Sequence, residues 1–258
     1  MKRALVRRPG PRLADGLVTH LARTPVDPGL ALRQWQNYVA ALAAAGWDCL
    51  EVPPAEECPD GVFVEDTVVM FGDLAVLARP GAEVRRPEVA AVRATVAGLG
   101  YRTAYIEAPG TLDGGDVLKI GDTVHIGRGG RTNDAGIQQL RDILAPEGWR
   151  VVPVGVSTVL HLKSAVTALP DGTVIGYPPL VDHPEVFDSF LPVPEPAGAH
   201  VVLLGGGQLL MAASAPGTAE LFAGLGYHPV RVDIGEFERL EGCVTCLSVR
   251  LRAPGEGG

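Results

Sequence analysis

The four cysteines and six histidines carry the most varied chemistry in this sequence. Cys243 and Cys246 form a C-x-x-C near the C-terminal end, a spacing compatible with redox or metal chemistry. A second C-x-x-C or an H-x3-H that would complete a zinc site does not occur in the sequence. Cys246 lies in LEGCVTCLSVR, where a glycine turn leads into a strand and can present a side chain toward a cavity. Taken alone, such a cysteine is more often a buried core thiol. As a nucleophile it needs a partner that holds the thiolate and shuttles protons. Cys49 and Cys58 sit in an apolar and a proline-rich setting and read as structural.

Of the histidines, His161 closes the apolar run VSTVLHLKSAV, where a buried ring must find partners. His125 alternates within a hairpin, and His20, His183, His200 and His228 fall in loops, turns or strand starts. The acids cluster twice. FVED places Glu65 and Asp66 before the strand TVVMF, and neighbouring residues on a strand face opposite sides, so the two should act differently. LDGGD places Asp113 and Asp116 around two glycines, and Asp116 reads as a turn residue. Glu65, inside an apolar segment, is costly unless paired. Arg85 and Arg131 offer the planar fork that matches a carboxylate, against the usual reading of a solvated face. The triple glycine at 205–207 is not a phosphate loop, and nucleotide-binding glycine motifs do not occur.

The elements that must position these groups repeat along the chain. An amphipathic helix ends in glycine plus an aromatic, then a β-branched strand follows, at Gly46, Gly100, Gly148 and Gly226. Glycine in that place accepts the left-handed conformation that closes a helix. The spacings are 54, 48 and 78 residues, and the last leaves room for a degenerate unit around PEVFDSFLPVPEP. TVVMFGDLAVLARP, DVLKIGDTVHIGR and TALPDGTVIGYP read as hairpins around glycine-containing turns. Hairpins argue against a purely parallel sheet. The pattern predicts five ββαβ-like units in a circular arrangement.

Of the 258 residues 47% are hydrophobic, enough for a sizeable core, and the net charge is -8. An acidic chain disfavours nucleic acid and suits a cationic ligand. The basic opening MKRALVRRPG is followed by no apolar run, and VAALAAAG is too short for a membrane span. A cytoplasmic compartment with reduced thiols and no membrane association is the expectation. The chain is read as one catalytic domain over 1–258, with 253–258 as a flexible tail.

Seven segments, ordered and spaced along nearly the whole chain, resemble dimethylarginine dimethylaminohydrolases. They are DGL at 15–17, PDGVFVED at 59–66, RPGAEVRR at 79–86, APGTLDGGDV at 108–117, IGRGGRTN at 126–133, LHLK at 160–163 and EGCVTCLSVR at 241–250. The resemblance implies the α/β pentein propeller, with five ββαβ-type units around a pseudo-fivefold axis. It implies Cys246 as nucleophile, His161 as acid/base and Asp113 as the acid that orients the histidine. Asp66 would hold the guanidinium, with Glu65 supporting the pocket. Asp60 and the backbone of Leu17 would meet the substrate's α-amino group, Arg85 and Arg131 its α-carboxylate, and Leu240 would line the pocket. No metal and no organic cofactor is implied. Cys243 is outside the family's motif and is read as packing in preference to a second thiol that pairs with Cys246 on oxidation.

The expected activity is hydrolysis of Nω-methylated arginine to citrulline through a covalent thiouronium on Cys246. The partner is then a small molecule, and a homodimer stays open. Arginine deiminase, or a hydrolase of another guanidino compound, is the nearest alternative, although the resembling deiminases carry a helical insertion for which this chain has no room. A non-catalytic pentein is the alternative from another class, disfavoured by the Cys, His and acid set.

Overall fold

Apolar residues alternating around tight turns form antiparallel hairpins, and the chain after each hairpin crosses over to add a parallel third strand. The computed structural model describes residues 2–251. The tail read as flexible, 253–258, lies outside the described residues. The first unit holds β1 (Arg3–Val6), α1 (Pro28–Ala44) and β2 (Asp48–Glu51). The second holds β3 (Val68–Phe71), β4 (Leu74–Leu77), α2 (Val89–Gly98) and β5 (Arg102–Tyr105). The third holds β6 (Val117–Ile120), β7 (Thr123–Arg128), α3 (Asp134–Leu144) and β8 (Arg150–Gly155). In the fourth, β9 (Val166–Ala168) and β10 (Val174–Gly176) precede β11 (Phe190–Pro192). The fifth has β12 (Val202–Gly205), β13 (Gln208–Ala212), α4 (Pro216–Gly224) and β14 (His228–Val232). A short helix α5 (Gly235–Glu238) then leads to β15 (Val249–Leu251).

The result is five three-stranded sheets, each with one antiparallel and one parallel pairing. β15 supplies the missing first strand of unit one, with Arg3 opposite Leu251 and Leu5 opposite Val249. The ring is therefore closed by the two ends of the chain. This is the five-unit propeller that the resemblance implies. The degenerate unit is the fourth: its crossover runs through the 3-10 turns Pro178–Leu180 and Pro184–Val186 in place of an α-helix.

The glycine–aromatic punctuation has one structural cause. Gly46, Gly100, Gly148 and Gly226 adopt φ of 83°, 87°, 82° and 88°. At each, the following aromatic N–H donates to a carbonyl five residues back: Trp47 to Leu42, Tyr101 to Val96, Trp149 to Leu144 and Tyr227 to Phe222. That bond satisfies an orphan carbonyl at the helix end and turns the chain toward the next strand. The aromatic rings pack into the apolar clusters between helix and sheet.

One further regularity positions the chemistry. In units two and three a 3-10 turn stands directly before the first strand, Val64–Thr67 and Gly114–Asp116, and in unit four Leu162–Ser164 stands one residue before it. These turns meet one another. Gly115 N–H donates to Asp66 Oδ1 at 2.9 Å, and Leu162 N–H donates to Asp116 Oδ1 at 2.9 Å. Glu65 N–H reaches the Cys246 carbonyl at 3.2 Å, which ties in the segment before β15.

Candidate active site

Glu65 and Asp66 stand in a 3-10 turn and not on a strand, yet they do face different partners. Glu65 accepts Lys163 Nζ at 2.5 Å and the Thr245 hydroxyl at 2.9 Å, beneath the cysteine loop. Burial raises its carboxyl in spite of Lys163. Asp66 accepts Arg85 Nη1 at 2.7 Å and the Gly115 N–H. Burial opposes its ionisation, but His161 and Arg85 outweigh it and hold the carboxyl at about 2.

The two glycines of LDGGD are needed for close approach. A Cβ on Gly114 would lie 2.0 Å from the Glu65 carbonyl oxygen. On Gly115 it would lie 2.7 Å from both Asp66 Oδ1 and His161 Nδ1. Bare backbone at these positions lets three segments of the ring meet. Asp113 is fully buried and accepts the Gly81 N–H at 2.8 Å and His161 Nε2 at 3.0 Å. Burial pulls His161 down, but Asp66, the hydrogen bond to Asp113 and the charge of Asp116 outweigh it. The imidazole is raised to about 9, so it is a cation at neutral pH.

Asp116 does stand in a turn, as read, but it is buried and its partners are distant in sequence: it accepts Thr132 Oγ1 at 2.6 Å and Leu162 N–H. Thr132 in turn accepts the Asp113 N–H at 3.2 Å, so Asp116 locks the histidine and its carboxylate partner to one frame. Burial lifts its own carboxyl to about 6 against the pull of His161.

A pocket is lined by Leu17, Asp60, Asp66, Arg85, Arg131, Leu160, His161, Leu240, Glu241 and Cys246, among others. Eight of the ten expected site residues thus share one cavity, with Asp113 and Glu65 behind its wall. Asp60 accepts the Leu17 N–H with both oxygens, at 3.1 and 3.2 Å. The two arginines differ in their protein partners. Arg85 is already bound: Nε and Nη2 reach Glu88 at 3.0 and 2.9 Å, and Nη1 reaches Asp66. Two buried carboxylates flank it, and Nη2 also donates to the carbonyls of Asp60 and Phe63. Arg131 differs. Its Nη1 is buried without a hydrogen-bond partner among the described residues and lies 3.6 Å from Asp113 Oδ2.

Ligand atoms of Asp66, Asp113 and His161 lie within 4.8 Å of one another. Arg85 and Gly115 already bind the Asp66 oxygens and Arg131 adds charge beside Asp113, so the set suits a hydrogen-bonded cluster better than a metal ion.

No family model matches the chain. A curated relative from Streptomyces coelicolor, N(G),N(G)-dimethylarginine dimethylaminohydrolase, is 69% identical over 251 residues, 97% of each chain. This protein belongs to the dimethylarginine dimethylaminohydrolase family. The family's protein from Pseudomonas aeruginosa is 36% identical over 257 residues, 97% of this chain and 99% of that one. A solved mutant of it complexed with citrulline gives a TM-score of 0.90 at 35% identity, over 97% of this chain and 99% of the other. The N-terminal domain of ArgZ, a cyanobacterial arginine dihydrolase, shares the fold with a TM-score of 0.87 at 20% identity, over 97% of each chain. The protein is a hydrolase of the pentein fold.

Within this dimethylarginine dimethylaminohydrolase-family chain, several contributors escaped sequence reading. Lys163 and Thr245, which hold Glu65, stand two residues from His161 and one from Cys246, and that proximity was the available signal. Glu241 gave none. It is a non-glycine residue at φ 62°, and its carboxylate accepts the N–H groups of Thr19, His20 and Leu21, strapping that segment beside the pocket.

Proposed function

We propose that the protein hydrolyses Nω-methylated arginine to citrulline and dimethylamine or methylamine, with Cys246 as nucleophile, His161 as acid/base and Asp113 as its orienting carboxylate. The observation that carries the reading is one pocket lined by the Cys246 thiol, the His161 imidazolium, Asp60, Asp66 and Arg131. Asp66 and Asp60 hold the cationic end and the α-amino group of the substrate, and Arg131, whose Nη1 makes no hydrogen bond among the described residues, takes its carboxylate. Arg85 serves through Asp66.

The guanidinium carbon is a poor electrophile because its charge is delocalised. Carboxylates along its edges bind the cation and leave the carbon open above its plane. The hydrogen bond with Cys243 and burial raise the Cys246 thiol, and a cation bound over it favours the thiolate, the thiol proton passing to solvent. The sulfur attacks the carbon, an S–C bond forms, and the C–N bond to the methylated nitrogen breaks. His161 gives its proton to that nitrogen as it leaves. The neutral imidazole then takes a proton from water as the water oxygen attacks the thiouronium. The S–C bond breaks, citrulline departs and the thiol is restored.

The same reading makes the protein cytoplasmic. Its four cysteines are free, as suits a reducing compartment. Citrulline release from asymmetric dimethylarginine and from arginine, with Cys246→Ser beside the wild type, tests the function. Turnover of the methylated substrate that vanishes in the variant is expected. Turnover of arginine alone would rename the substrate, and equal turnover by the variant would remove Cys246 from the mechanism.

A further inference from the structure

Cys243 packs in the core as expected, but its sulfur does more than fill space. Cys243 Sγ lies 3.3 Å from Cys246 Sγ and 3.2 Å from Thr245 Oγ1. The Thr245 hydroxyl donates to Glu65 at 2.9 Å, so its oxygen is left to accept the Cys243 proton. That arrangement turns a lone pair of the Cys243 sulfur toward Cys246. The backbone keeps the two side chains together, since Cys246 N–H donates to the Cys243 carbonyl across a tight turn. Closing to a covalent S–S bond requires the sulfurs to approach by about 1.3 Å. Cys246 lines the pocket and is reachable from it, whereas Cys243 does not line it.

We propose that Cys243 and Cys246 form a peroxide-oxidisable dithiol, in which Cys243 resolves an oxidised Cys246 into an intramolecular disulfide. The Cys246 thiolate attacks one oxygen of a hydroperoxide. An S–O bond forms and the O–O bond breaks, leaving a sulfenic acid on Cys246 and a hydroxide that is protonated to water. The Cys243 sulfur then attacks the Cys246 sulfur. The S–S bond forms, the S–O bond breaks, and the departing hydroxide takes the Cys243 proton. With hydrogen peroxide, two thiols yield one disulfide and two waters, and the sulfur pair surrenders the two electrons the peroxide gains. Loss of hydrolysis on oxidation rests on the nucleophile role proposed above, but the disulfide itself does not.

The test treats the purified full chain with a small excess of hydrogen peroxide at neutral pH, then alkylates remaining thiols in denaturant. Tryptic cleavage after Arg239 and Arg250 releases both cysteines in one peptide, 240–250. Expected is a peptide lighter by two hydrogens and carrying no alkyl group, with hydrolysis lost in parallel and restored by dithiothreitol. In Cys243→Ser and Cys243→Ala, the same exposure drives Cys246 to sulfinic acid, and dithiothreitol leaves activity about tenfold or more below its own untreated level. The proposal is overturned if the wild-type peptide carries a sulfinic or sulfonic acid on Cys246 beside an alkylated Cys243, or if both thiols stay alkylatable. A disulfide in a protein that never turned over methylarginine would sink the proposed function and leave the dithiol standing.

Discussion

His161 shows what surrounding charge does to one side chain. Its raised value comes chiefly from Asp66 and the hydrogen bond to Asp113, set against burial. A group raised on folding contributes stability that is complete below its unfolded value of about 6.5 and is lost as pH rises through about 9. For a fully buried ring that contribution is on the order of 3 kcal/mol. Asp113→Asn should lower His161 only part of the way, because Asp66 remains. The expected outcome is a fall of the urea midpoint with rising pH that begins at lower pH than in wild type. Citrulline release should drop by ~10²-fold or more as the imidazole loses its orientation. Coincident pH profiles for the two proteins would show that Asp113 does not set the histidine's charge.

At the scale of elements, the site is made of turns, not strands. LDGGD was legible as a glycine turn, but what the turn is for was not, because the atoms it makes room for come from residues 65–66 and 161, far along the chain. Asp116 stands in that turn, but its burial was not legible for the same reason: its partners Thr132 and Leu162 are distant in sequence. The hairpins and helix ends were legible because their causes are local, a glycine with positive φ followed by an aromatic. Glu65 and Asp66 looked like strand residues because the apolar run continues into β3, and a 3-10 turn has no periodicity of its own over four residues. Gly115→Ala should therefore behave unlike an ordinary helix or loop glycine substitution. The added methyl meets Asp66 and His161 together, so turnover is expected to fall by ~10²-fold while folding survives. Gly98→Ala, where a Cβ meets nothing within 4 Å, serves as the control and should leave turnover unchanged.

For the whole molecule, five units were countable from four visible helix ends and one gap. The fourth unit's α-helix could not be found because it is replaced by proline-started 3-10 turns. Arg85 and Arg131 were read as equivalents, since sequence does not show which arginine a buried Glu88 has already claimed. The antiparallel pairing of β1 with β15 means that Arg3 and Leu251 are neighbours in one sheet. Topologically the described chain is a loop cut at one place, and the cut is movable. A circular permutant that joins the two old ends with a short flexible bridge and opens at the exposed Asp171–Gly172 turn should fold to the same propeller. It should hydrolyse its substrate within about tenfold of the parent rate, because every site residue keeps its sheet and its neighbours.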